Sequence, residues 1–185
     1  MTCADAGPIA GRGLPAAMDA RIVERSDPGC AGRIVKLHVD YYAAASGFGA
    51  DFKDKVAREL ADFLSAYRPG RDLLLLALHG QSIEGSIAID GAHADTDGAH
   101  LRWFIASDAI RGQGIGRRML AGALQFADGR GYPMTYLWTF AGLDAARRLY
   151  ESFGFRLVRE GPGLRWGKEV REQRFERRKP DGECR

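Results

Sequence analysis

The stretch that most restricts how this chain can fold runs from Leu101 to Phe140, where LRWFIA, the loop SDAIRGQGIG, an apolar-striped helix and MTYLWTF follow one another. Two strand-like segments joined through a helix make a βαβ unit, whose strands lie parallel in one sheet. The helix stripe consists of Ile115, Met119, Leu120, Ala123, Leu124 and Ala127 and closes near Gly129 or Gly131. Between strand and helix, Gly112, Gly114 and Gly116 alternate with other residues. These glycines surrender side-chain packing and chain entropy, a cost that is offset when backbone must lie against a ligand. A dinucleotide fingerprint G-x-G-x-x-G fails in both registers, because counting from Gly112 reaches Arg117 and counting from Gly114 reaches Met119. A Walker loop fails as well, since no GK[ST] follows at the needed spacing. What remains is a loop whose backbone N–H groups, with the free donors of the helix starting near Gly114, wrap a pyrophosphate.

Around this unit, elements are read from apolar spacing. RIVER (21–25) is a short strand. Ile34, Leu37, His38 and Tyr41 share one helical face up to SGFGA, and Phe52, Val56, Leu60 and Phe63 share another, with Asp51 as expected N-cap and RPG as the stop. LLLLALH (73–79) is wholly apolar and joins through a hairpin at HGQS to a strand in which Ile83, Gly85, Ile87 and Ile89 alternate as one buried face. Leu143, Ala146, Leu149, Tyr150 and Phe153 form the last helical face, which Gly154 terminates; FRLVRE and KEVREQRFERR follow as strands. The predicted order is β-α-α-β-β-β-α-β-α-β-β, an α/β fold with a mixed sheet and helices on both sides. Residues 1–20 read as a flexible leader, 21–178 as a single domain and 179–185 as a tail.

Composition narrows the function. A chain of 185 residues, 45% hydrophobic, can bury one core without metals or disulfides. The net charge of +3 comes from interleaved acidic and basic residues rather than a continuous basic stripe, so a locally basic pocket is expected and no nucleic acid. Cys3, Cys30 and Cys184 are odd in number and far apart, which argues against a disulfide framework or a zinc site and fits a reducing cytoplasm. His38, His79, His93 and His100 show no ligand or triad spacing, and no metal is expected. The N-terminus lacks an apolar run of signal-peptide length, and no stretch is suited to a membrane span.

With the loop R-G-Q-G-I-G placed between strand and helix, and A-A-R-R-L-Y-E-S-F-G-F after the second strand, the chain resembles the GCN5-related N-acetyltransferases. The strong motifs cover residues 101–155, and the element order extends the likeness to roughly 21–178. LRWFIASDAIRGQGIGRRML also resembles acetyltransferase domains carried behind winged-helix regulators in some bacterial proteins, although the leader here is too short to be such a regulator. The resemblance implies that Phe104, Ile105 and Ala106 lie on a strand splayed from its parallel neighbour, where backbone pairs with the pantetheine arm of acetyl-coenzyme A. It assigns the pyrophosphate to Arg111, Gly112, Gln113, Gly114, Ile115, Gly116 and Arg117. Arg117 and Arg118, or Arg147 and Arg148, are candidates for the adenosine phosphate.

The family's acid position falls on Tyr150, four residues before Gly154. Where many members carry Asn, this chain has Leu143, so a polar contact to the pantetheine is either missing or supplied by Thr139. Tyr41, Tyr42 and Phe48 flank the connection between the first two helices and are expected at the acceptor site, whereas Trp103 and Trp138 read as sheet packing. The implied reaction is direct attack of a primary amine on the thioester, with a strand N–H near Phe104–Ala106 stabilising the thioester oxygen. Glu84, Asp90 and His100 stand as alternative proton acceptors. The amine belongs to a small molecule, a peptide or a protein, and the chain is expected as a monomer or homodimer. A different class of function, a non-catalytic acyl-coenzyme A sensor, shares the same cofactor residues.

Overall fold

The computed structural model describes residues 20–24 and 28–180, so nearly all of the expected leader and most of the tail lie outside the described residues. β1 (Arg21–Glu24) and a 3-10 turn (Pro28–Cys30) precede α1 (Ala31–Ser46) and α2 (Ala50–Ala66). β2 (Leu73–His79), β3 (Ser82–Asp90) and β4 (Ala99–Ala106) follow, then a second 3-10 turn (Asp108–Ile110), α3 (Ile115–Gly129) and β5 (Met134–Phe140). α4 (Asp144–Ser152), β6 (Arg156–Gly163) and β7 (Val170–Arg178) complete the order that the sequence predicts. The seven strands form one sheet, β1-β2-β3-β4-β5-β7-β6, in which only β4 and β5 are parallel. Among the described residues no helix is long and apolar enough to cross a membrane.

The leucine run of β2 explains the layering. Successive strand side chains point to opposite faces, so Leu73 and Ala77 enter the core under α3 and α4, while Leu74, Leu76 and Leu78 enter the core under α1 and α2. Met119, Leu120, Ala123 and Tyr150 fill the first core; Ile34, Phe52, Val56 and Leu60 fill the second. A sheet covered on both sides requires such an all-apolar strand. Two local expectations change. β3 is buried on both faces, since Ser86 and Ala88 are buried along with Ile87 and Ile89. Its register slips where Ala77 pairs with Gly85 but Leu78 pairs with Ile83, and the bulge turns Ile83 toward the α1/α2 core. The N-cap of α2 is Gly49 rather than Asp51, which sits in the first helical turn, where a carboxylate suits the helix dipole.

A second bulge positions the site. Between Ser86↔Ile105 and Ala88↔Arg102, β4 carries one residue more than β3 can pair, and Trp103 takes up the excess in a left-handed conformation, φ 47°. The Ser86 hydroxyl donates to the Trp103 carbonyl at 2.6 Å. Beyond Ala99↔Thr135 and His100↔Tyr136, β4 and β5 no longer pair, and the β5-facing edge of β4 is left without a strand partner. Ser86→Ala strands a buried carbonyl and removes the clamp on the bulge, with an expected destabilisation of about 1–3 kcal/mol. Denaturant midpoints check it; a variant as stable as the parent would show that the bulge holds without the hydroxyl.

Candidate functional site

Two cavities meet where β4 leaves β5. One is a groove of about 500 Å³ that runs along the unpaired end of β4 and the glycine loop, with α4 as its other wall. Phe104, Ile105, Ala106, Arg111, Gly112, Gly114, Ile115 and Gly116 line it, and Leu143, Ala146, Leu149 and Tyr150 face them from the α4 side. The structure therefore brings together all but two of the residues that the sequence assigns to the cofactor. Gln113 and Arg117 brace instead of lining. The Gln113 side-chain amide donates to the Ala109 carbonyl at 3.0 Å, and Arg117 ties α3 to α4 by donating to the Ser152 hydroxyl at 3.2 Å.

Gly112 and Gly114 hold φ values of 74° and 72°, a region L-residues rarely enter. A Cβ built on either would meet nothing within 4 Å, so packing does not explain the glycines; the space in front of them is open. Gly114 is the N-cap of α3 and no side chain caps the helix, which leaves its first-turn N–H groups facing that space. The loop is pinned from behind. Glu84 accepts from Arg33 at 2.7 Å and from the Ser107 hydroxyl at 2.5 Å, and the Ser107 N–H donates to the Glu84 carbonyl at 2.8 Å. With both carboxylate oxygens engaged, Glu84 joins α1, β3 and the start of the loop and lines neither cavity.

The second cavity, about 230 Å³, lies under α1 and α2, between β4 and β5 and beside the connection from β6 to β7. Tyr42, Phe104 and Tyr150 line both cavities and mark their junction. The sequence-assigned acceptor residues divide here. Tyr42 stands at the junction; Tyr41 lines only the groove, under the guanidinium of Arg111 at 4.9 Å; Phe48 lines neither, being buried against Tyr42, Phe52 and Phe140. Thr139 lines the second cavity and not the groove, and Asp90, ion-paired to Arg102 at 3.2 Å, lines neither. His100 lines the second cavity, stacked on Tyr136 at 4.4 Å.

Tyr150 is buried against Phe104, Phe155 and Phe175. Burial raises its phenol above the ordinary value, so it remains a protonated donor. Its hydroxyl has no protein partner among the described residues, and no sealed side-chain oxygen or nitrogen there lacks one, so the hydroxyl reaches open space. His38 is the residue that sequence reasoning missed. Its Nδ1 lies 2.9 Å from the Ile34 carbonyl, which can only accept; Nδ1 carries the proton and Nε2 is a bare acceptor in the lining of the second cavity. A histidine bonded four residues back along its own helix shows no triad spacing, which is why the pattern was silent.

Burial depresses His38 to about 4, and burial followed by the charges of Arg102, Arg165 and Arg174 depresses His100 to about 3. Both are neutral in the folded protein at pH 5, whereas in the unfolded chain histidine binds a proton below about 6.5. Stability is therefore full above pH 6.5 and lost as pH falls toward 4. From pH 7 to pH 5 the loss expected from His38 alone is about 2 kcal/mol. His38→Gln should remove that share, so denaturant unfolding at the two pH values should show a smaller difference in the variant; an identical difference would mean that His38 is not held neutral by the fold.

Comparison with known proteins follows this geometry. The family model described as Acetyltransferase (GNAT) family matches residues 32–155. No curated protein matches the chain in sequence. Among solved structures, a GNAT-family acetyltransferase of Staphylococcus aureus Mu50 aligns with a TM-score of 0.71 at 18% identity, covering 86% of this chain and 99% of its own. The yncA protein of Salmonella typhimurium, solved with its cofactor acetyl-CoA, aligns with a TM-score of 0.70 at 16% identity, covering 90% and 98%. An acetyltransferase of Streptococcus agalactiae 2603 aligns with a TM-score of 0.68 at 18% identity, covering 86% and 98%. At these identities the likeness is one of fold.

Proposed function

The chain belongs to the GNAT acetyltransferase family, and from that premise we propose that it moves an acetyl group from acetyl-coenzyme A to a primary amine by direct attack. One observation carries the reading: the unpaired edge of β4 continues into a glycine loop whose open side a Cβ would occupy. Such an edge takes an extended ligand as a strand partner, and Phe104–Ala106 would bind the pantetheine arm in that way. The N–H groups of the loop and of the first turn of α3 would hold the pyrophosphate. Arg118 and Arg148 are the arginines left for the adenosine phosphate, since Arg117 is tied to Ser152 and Arg147 to Glu151.

Acetyl-coenzyme A supplies the acyl group as a thioester. The amine enters from the second cavity and meets the groove at Tyr42, Phe104 and Tyr150. The N–C bond forms as the C–S bond breaks, the sulfur leaves with the bonding electrons, and the amine gives up one proton. A β4 N–H near Phe104–Ala106 donates to the acyl oxygen as its charge grows. His38 Nε2 accepts from the amine and holds it in line. Tyr150 donates to the departing sulfur; with reference pKa values of about 10 and 8.5, full proton transfer is uphill by roughly 2 kcal/mol even before burial raises the phenol, so the hydroxyl stabilises the thiolate by a hydrogen bond. The acceptor's own proton matters more: at pH 7 a lysine-like amine is less than ~0.1% neutral, an α-amine more than about a tenth.

Release of free thiol from acetyl-coenzyme A across an amine panel tests the reading, and binding without release from any amine would favour a sensor. Gly114→Val forces a β-branched side chain into the left-handed region and into the open cradle; calorimetry should show the coenzyme Kd rise at least about tenfold, equivalent to 1.4 kcal/mol. Unaltered affinity in a folded variant would remove the loop from the coenzyme site. Tyr150→Phe keeps the ring among its aromatic neighbours and removes only the donor, so kcat should fall by about 10²–10⁴ with coenzyme affinity nearly kept. Parent turnover, with chemistry shown to be rate-limiting, would leave Tyr150 a packing residue.

A further inference from the structure

The second cavity has a charge pattern that discriminates among amines. Its lining holds three cations, Lys55, Arg102 and Arg165, against one carboxylate, Glu59. Glu59 is already engaged, one oxygen by Lys55 and the other by Arg102 at 2.5 Å. Arg102 is engaged in turn, by Glu59 and by Asp90, and lies over Trp103 at 4.1 Å. Arg165 differs. Its Nε stands 3.5 Å from Glu172, which also takes the Arg165 backbone N–H, and its guanidinium lies over the Trp138 ring at 3.9 Å. Neither terminal nitrogen of Arg165 has a hydrogen-bond partner among the described residues. A guanidinium placed over an indole with its terminal nitrogens unengaged is suited to a bidentate carboxylate or similar oxyanion.

The lowering of the His100 pKa agrees with this, because the charges that add to burial are all arginines: Arg102, Arg165 and Arg174. The carboxylates around the cavity are all engaged by its own cations, Glu59 by Lys55 and Arg102, Asp90 by Arg102 and Glu172 by Arg165, so a polyamine or a basic peptide finds no free carboxylate among the lining residues. Aromatic residues, among them Tyr42, Phe52, Trp138, Phe140 and Trp166, make up much of the remaining wall. At about 230 Å³ the cavity is smaller than the roughly 300–1,000 Å³ of drug-sized sites and suits a single small molecule.

We propose that the acceptor is a small amine that also bears an acid group, as a free α-amino acid does, with the acid group on Arg165 and the side chain against the aromatic walls. This rests on the acetyltransferase reading above. The cations that draw in the acid group also push the proton off the neighbouring ammonium, so the nitrogen is presented neutral for attack. The N–C bond then forms while the C–S bond breaks; His38 Nε2 accepts a hydrogen bond from the nitrogen, whose proton is lost to solvent, and the sulfur departs with the bonding pair.

The test is a panel of L-α-amino acids, each against its own amide and its decarboxylated amine, read by thiol release and by calorimetric binding to the protein saturated with coenzyme A. The expected result is kcat/KM at least about tenfold higher for the best amino acid than for its amide, and a ratio that collapses to within about twofold in Arg165→Gln, whose folding is checked by its melting curve. The comparison on the parent protein decides alone if that variant does not fold. Equal or faster turnover of amides or plain amines overturns the acid-group inference and leaves acetyl transfer standing. Thiol release with no acceptor, together with amino-acid binding that Arg165→Gln abolishes, upholds the acid-group inference and removes the acetyltransferase reading. No thiol release with any member of the panel, together with no amino-acid binding, overturns the acid-group inference, and the acetyltransferase reading is then judged by the wider amine panel.

Discussion

The hydrogen bond from the Ser86 hydroxyl to the Trp103 carbonyl holds a strand in a conformation that the strand would not choose. A non-glycine residue at positive φ costs on the order of 1–3 kcal/mol and persists only where its surroundings over-determine it. Here they do: the Trp103 ring packs on Phe63 at 5.1 Å, Arg102 lies over it, and its carbonyl is clamped from β3. The excess residue bends β4 away from β5 after two residue pairs. Every cavity described above is a consequence of that parting, because a fully paired β4–β5 ladder would fill the place where the two cavities meet.

The two cavities then work with different forces. The groove offers backbone: an unpaired strand edge, N–H groups of a helix start, and a loop stiffened from behind by Glu84, Arg33 and Ser107. The second cavity offers aromatic walls and guanidinium groups, with its carboxylate neutralised. Where they meet, the polar atoms are two phenols whose burial keeps them protonated, and next to Tyr42 in the second cavity stands an imidazole whose backbone bond keeps its outer nitrogen bare. A protonated donor and a bare acceptor are thus set in place by burial and one backbone hydrogen bond.

What was legible in the sequence was whatever depends on spacing along one element. The stripe of α3, the all-apolar β2 and the glycine loop were readable because periodicity and φ > 0 requirements leave residue-type signatures. The Trp103 bulge was not, since its residue is neither glycine nor asparagine and the conformation is imposed by tertiary contacts. The two-sided burial of β3 hid behind Ser86, a polar residue satisfied by that same bulge, and the switch of Ile83 between cores depends on a register slip with β2. At the two cavities, the placement of Gly112, Gly114 and Tyr150 along the groove was readable and that of His38, Arg165 and Trp166 around the second cavity was not. Their roles come from elements distant in sequence that close one cavity, as Lys168 shows by donating to the Ser46 carbonyl across 122 positions of chain.

That last contact bears on how two ligands would share the protein. The connection between β6 and β7, latched to the end of α1 by Lys168 and resting Trp166 on Phe140 at 5.4 Å, walls the second cavity on a side the groove never touches. On the proposed reading each ligand has its own cavity, and the cavities converge only at the three shared aromatic residues. Neither reactant would then obstruct the arrival of the other, and the spent carrier and the finished product would leave from different cavities. Order of addition would in that case be a matter of relative affinity and concentration rather than of geometry, and a product slow to leave one cavity would not trap its companion in the other.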